Sequence, residues 1–153
     1  MKLGTDLERA DMTTRILDVG CLNLMGPEDT EPREYESLLW VSVLMSLTAY
    51  QMYRQHVQDR VNGEDVAEFL LQDDKFPRAV AHCLGDVNAS FRLLPNHDEP
   101  LRRVTQAQRL IGEADIARLL GQGKLHDYID DVQAEFSGIH NQLSETWFTY
   151  QTV

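Results

Sequence analysis

The sequence predicts an all-α domain, a bundle of five to six helices with no sheet. Three observations carry that reading. Apolar residues recur at helical spacing along almost the whole chain. No hairpin is signalled by Asn-Gly or Asp-Gly between alternating runs, and no sustained period-two alternation marks a strand. Glycine, proline and acidic clusters punctuate the helical stretches and leave only short connections.

The first helix is expected from about Leu3 to Met25. At about 100° per residue, Leu3, Leu7, Ala10, Thr14, Leu17 and Cys21 form one seam. Met12, Ile16 and Val19 form a second apolar strip. Glu8, Asp11, Arg15 and Asp18 fall between the two strips, which leaves Asp6, Arg9 and Thr13 as the arc for water. Gly26 to Pro32 reads as an acidic loop, and a long helix follows from about Arg33 to Val57. Asn62 caps a short helix, Gly63 to Gln72, with Asp65 three residues on in a capping-box position. Asp73 to Phe76 is a turn. Pro77 suits the first position of a helix that runs to about Leu94. Pro95 to Asp98 is a loop, and Asp98 caps a helix that opens at Glu99-Pro100 and ends around Gly121 to Gly123. The last helix, Leu125 to Tyr150, carries a heptad seam of Leu125, Ile129, Val132, Phe136, Ile139, Leu143 and Trp147. Nothing in the 153 residues marks a linker, so a single domain over 1–153 is expected.

Composition narrows the function classes. The chain is 42% hydrophobic and 25% charged, ordinary for a globular protein. Its formal net charge of −11 argues against a nucleic-acid partner, because phosphate backbones are bound by clustered Lys and Arg. The longest apolar-leaning run, Leu38 to Tyr53, is too short for a membrane span and contains Ser42, Ser46 and Thr48. Met1 leads straight into a patterned helix, so no secretory leader is expected and a cytoplasmic location follows. Cys21 and Cys83 have no paired spacing and read as small buried hydrophobes in a reducing compartment.

The charged strip on the first helix is the strongest chemical signal. Charge placed between packed helices is costly unless it is paired. Glu8, Asp11, Arg15 and Asp18 therefore read in two ways. They form an interhelical ion-pair network, or they line a groove that binds an amine or a metal, with Arg15 orienting a carboxylate. A di-metal site of the ferritin type requires Glu-x-x-His pairs, and no Glu stands three residues before any histidine. No metal and no cofactor is expected. Arg78 and His82 share a helix face with Gly85 and Ala89, which suits a bound anion, a closely packed helix or plain solvent exposure. His140, at the edge of the last seam, reads as a hydrogen-bonded core histidine. Trp40 and Trp147 read as core, Tyr50 and Tyr53 as core or groove lining, and Glu145 as exposed. No nucleophile elbow, phosphate loop, H-E-x-x-H or G-x-G-x-x-G occurs, so nothing in the pattern supports catalysis.

Several segments together resemble the bacterial alpha-E domain family. They are Leu3-Gly4 with the run from Leu7-Glu8-Arg9-Ala10 to Val19, Trp40 to Leu44 with Ser46 to Tyr50, Phe69 to Asp73, and Phe76-Pro77-Arg78 to Leu84. Leu125 to Ile129 and Glu145 to Phe148 complete the set. The resemblance covers nearly the whole chain. Family members usually carry an L-G-x-x-x-E-R-A helix in each of two halves, and this chain is similar to the C-terminal half. Thr5 stands where the family often has Arg. The resemblance implies a helical domain associated with ATP-grasp amide-bond ligases and transglutaminase-like cysteine peptidases. It also marks Glu8, Arg9, Arg15, Asp18, Arg78 and His82 as recurrent polar positions.

The expected function is an accessory module of an ATP-grasp ligase system, not itself an enzyme. It would bind a partner protein or an amine or peptide substrate through Glu8, Arg9, Asp11, Arg15, Asp18, Arg78 and His82. The alternative is an amide-bond hydrolase or transferase with Glu8 or Asp11 as base, His82 as proton shuttle, and Arg15 or Arg78 holding a carboxylate. If the family's two halves pack on each other, a lone half exposes an apolar face, and self-association as a dimer is expected.

Overall fold

In a computed structural model of the chain, residues 2–24, 33–58 and 60–148 are described. They form α1 (Lys2–Leu24), α2 (Arg33–Ser46), α3 (Tyr50–His56), α4 (Gly63–Gln72), α5 (Val80–Arg92), α6 (Asp98–Gly112), α7 (Ile116–Gly121) and α8 (Leu125–Leu143). A π-helical turn, Ser144–Phe148, closes the series, and no strand occurs among the described residues. The all-α bundle is as expected. The expected Gly26 to Pro32 loop and the ends at Met25 and Tyr150 lie outside the described residues.

Four helices make a closed ring in which α1 packs on α5, α5 on α6, α6 on α8, and α8 back on α1. On this ring α2 packs against α1, α4 against α1, α5 and α6, and α7 against α8, while α3 packs on α2. Helices α1 and α8 run antiparallel: Thr14 meets Gln133 and Asp18 meets His126. The seam Leu3, Leu7, Ala10, Thr14, Leu17 and Cys21 is buried, as is the heptad seam of α8 from Leu125 to Leu143. Trp147 is only half-buried. Its indole N–H donates to the Pro95 carbonyl at 2.8 Å, and its ring stands 5.3 Å from that of Phe91.

The helix count rises to eight because two expected long helices are broken by contacts from afar. The Arg33 to Val57 helix stops at Ser46 and restarts at Tyr50. Thr48 takes φ 54°, a left-handed conformation unfavourable for a β-branched residue, and the Ala49 N–H returns to the Leu44 carbonyl. The Leu47 carbonyl accepts from Arg78 Nη1 at 3.3 Å. Between α6 and α7, Gln72 Nε2 donates to the carbonyls of Ile111 and Ala114, both at 2.9 Å. Asp115 then caps α7 at the Arg118 N–H.

Two helix starts also shift. The helix expected from Pro77 begins at Val80, because Ala79 is extended (ψ 140°). The Asp73 carboxylate accepts the Lys75 and Phe76 N–H groups and tightens the turn before it. Asp98 lies inside α6 rather than capping it, and His97 takes the cap position without a side-chain bond. Asn62 behaves as expected: its carbonyl accepts the Asp65 N–H at 2.9 Å while its amide donates to the Asp65 carboxylate at 2.7 Å.

Candidate functional site

The charged side chains of α1 separate into three environments. The first is a groove of about 400 Å³ between the first half of α1 and the end of α8. Glu8, Asp11 and Arg15 line one wall, and Phe136, His140 and Asn141 line the other. Arg15 Nε donates to Asp11 Oδ2 at 2.8 Å, one helical turn away, and the Arg15 side chain is exposed. Such an exposed pair contributes about 0.3–0.5 kcal/mol. Glu8 and Arg9 are exposed and form no ion pair among the described residues. His140 is exposed on this groove rather than buried in the core, because the seam of α8 passes through Phe136, Ile139 and Leu143 instead.

The second environment lies under α5 and corrects the expected water-facing arc. Only Arg9 of that arc is exposed; Asp6 and Thr13 are buried. The strip of Met12 and Val19 faces solvent in their place. Helix α1 is thus rotated about its axis from the expected setting, because α5 packs on its polar side. Thr13 Oγ1 donates to the Arg78 carbonyl at 2.7 Å. Asp6 Oδ2 has no hydrogen-bond partner. Burial pushes the Asp6 carboxyl above the ordinary aspartate range, the Asp86 charge adds to this, and Lys2, Arg9 and His82 oppose it.

Arg78 and His82 do not share a helical face, since Arg78 precedes α5. Arg78 spends its guanidinium on Leu47 and its carbonyl on Thr13. His82 Nδ1 lies 2.8 Å from the Asp74 carbonyl, and Nε2 lies 3.4 Å from Asp86. A carbonyl only accepts, so Nδ1 carries the proton. The groove that holds Glu8, Asp11 and Arg15 is closed by α8 and not by Arg78 or His82.

The third environment is at the other end of α1. Asp18 points at α8, where its carboxylate lies 2.5 Å from His126 Nδ1. His126 Nε2 lies 3.6 Å from Asp130. The bond to Asp18 is the first cause that raises the His126 pKa, with the charges of Asp18, Asp130 and Asp127 adding to it against desolvation. Beside His126 opens a larger groove of about 690 Å³, floored by Trp40 and edged by Cys21, Glu36, Arg60 and Glu64. Sequence reasoning missed His126 and Asp130. Their four-residue spacing was a signal, but Asp18 stands 108 positions away.

The two cysteines are ill-suited to nucleophilic chemistry. Both are buried, and burial pushes each thiol up to about 12. No helix of the described residues is long and apolar enough to cross a membrane.

Fold and groove together define an all-helical domain with an exposed Glu-Arg pair on its first helix. The chain belongs to the Alpha-E family: the model of "a predicted alpha-helical domain with a conserved ER motif" matches residues 1–148. Glu8-Arg9 is the one Glu-Arg dipeptide in the sequence. No curated protein and no solved structure resembles the chain at a significant level.

Proposed function

We propose that this Alpha-E domain is a binding module that serves an ATP-grasp amide-ligase system, with the Glu8-Arg9 edge of the α1–α8 groove as its contact. One observation carries the reading. The family retains a Glu-Arg motif, and here both side chains stand at the surface with no ion pair among the described residues. Arg9 eases the charge of buried Asp6, but a motif whose two side chains stay at the surface suits a contact outside the fold. The groove offers Glu8 and Asp11 to an amine, Arg15 to a carboxylate and Phe136 to an apolar stem, which suits a peptide segment.

The test is co-purification of the chain with the ATP-grasp ligase and the transglutaminase-like protein of the same organism. Glu8→Ala and Arg9→Ala should abolish capture while leaving the melting temperature within about 1–2 °C, as expected for surface substitutions. Capture that survives both changes overturns the reading. The enzyme reading requires Glu8 or Asp11 to act with His82 and with Arg15 or Arg78; Arg15 lines the groove around Glu8, but His82 does not.

A second copy of the chain is a further partner under the same reading. Met12, Val19 and Leu22 of α1, with Leu38 and Met45 of α2, leave large apolar side chains exposed. Light scattering should give a dimer mass that Val19→Glu halves; a monomer at high concentration removes this partner.

A further inference from the structure

We propose that His126 and Asp130, with Asp18 holding the imidazole from behind, bind a borderline divalent cation of the zinc class beside the larger groove that His126 lines. The three residues come from two helices, and their ligand atoms lie within 4.8 Å of one another. His126 meets a carboxylate at each ring nitrogen: Asp18 at Nδ1 and Asp130 at Nε2. A neutral imidazole has one donor and one acceptor, whereas a carboxylate only accepts. With Nδ1–H given to Asp18, the Nε2 lone pair faces a second anion. A proton on Nε2 or a metal ion between the two would turn this contact into an attraction.

The geometry suits the ion. Two ligands at about 2.1 Å from one metal, across a tetrahedral angle, stand about 3.4 Å apart. Nε2 and the Asp130 oxygen are 3.6 Å apart. Asp18, with its side chain only 16% exposed, holds the ring by Nδ1, the part that an orienting carboxylate plays behind a metal-bound histidine. Asp130 is 57% exposed, so the remaining positions on the ion stay open to water. An imidazole nitrogen beside the Asp130 carboxylate favours a borderline ion over Mg²⁺ or Ca²⁺. The absence of Glu-x-x-His pairs bears on a di-metal site within helices and not on this one, which spans α1 and α8.

Calorimetric titration of the full chain with Zn²⁺, after treatment with chelator, tests the proposal. One equivalent should bind, and Mg²⁺ in large excess should not displace it. His126→Gln and Asp130→Asn should each weaken binding about 10-fold or more, and Asp18→Asn should weaken it about 10-fold through the ring's orientation. Cys21→Ser should leave the affinity unchanged, since Cys21 is not among the grouped ligand atoms. Co²⁺ bound to the unaltered chain should show the weak visible bands of a nitrogen–oxygen site without a thiolate charge-transfer band, a readout that no variant's folding can disturb. Absence of saturable Zn²⁺ binding, affinity unaffected in the His126 and Asp130 variants, or loss of binding in Cys21→Ser would each overturn the site.

Discussion

The Thr13 hydroxyl donates to the carbonyl oxygen of Arg78 at 2.7 Å, across 65 positions of sequence. The bond ties the middle of α1 to the turn before α5, and Arg78 in turn reaches the Leu47 carbonyl where α2 breaks. Three segments therefore meet at one residue. Thr13→Val keeps the shape, removes the donor and leaves the part-buried Arg78 carbonyl without it. The expected loss is about 1–2 kcal/mol, a fall in melting temperature of roughly 2–8 °C. Thr13→Ser should recover most of it. Thermal unfolding of the two variants checks the claim; equal melting of Val and Ser variants would show that the hydroxyl does not matter.

Asp6 makes stability depend on acid in an unusual direction. Its folded pKa is raised above the ordinary value of 3.8, first by burial and then by the Asp86 charge. A raised carboxyl favours the neutral form in the fold, so ionisation opposes folding. The destabilisation builds as pH rises from 3.8 to the folded value and is complete above it. Acidification through that window should therefore relieve this one group, against the trend of the other carboxylates. Asp6→Asn should raise the melting temperature at neutral pH and make little difference below pH 3.8. Paired melting curves across pH measure it; a neutral-pH loss in the Asn variant would mean that the charge itself is held by a partner.

Two glycines should respond oppositely to alanine. A Cβ on Gly63 would come within 2.7 Å of the Trp40 indole, which is 2% exposed and has no room to yield. Gly63→Ala should cost about 1–3 kcal/mol through overpacking. A Cβ on Gly85 meets nothing within 4 Å, so Gly85→Ala in the middle of α5 should stabilise by up to about 1 kcal/mol. Urea unfolding midpoints of the pair decide it, and a destabilised Gly85 variant would point to a helix packed on that face.

The helical periodicity and both buried seams were legible because they are local patterns. So was the Asn62 cap, whose partner Asp65 is three residues away. The breaks were not. Nothing near Thr48 announces a left-handed residue, and the groups that receive the freed carbonyls, Arg78 and Gln72, lie far along the chain. The rotation of α1 was hidden for a different reason. Asp6 and Thr13 look made for water, and their burial follows from the packing of α5, where Thr13 meets a carbonyl of the preceding turn that no periodicity reveals. Of the proposed contact residues, Glu8, Asp11 and Arg15 do share one groove. Arg78 and His82 belong to the other side of α1, where packing assigned them structural bonds.

The closed ring has a consequence for how the chain reaches its fold. Its last side, between α1 and α8, joins residues more than 100 positions apart, such as Thr14 and Gln133. Contacts that distant slow folding, because the intervening chain must be ordered before they form. While the chain is being made, α1 emerges first and holds one flank of its seam uncovered until α8 is complete. The charges of Glu8, Arg9, Asp11 and Arg15 then serve as a soluble border to that waiting seam, and a truncation that removes α8 would turn a transient exposure into a permanent one.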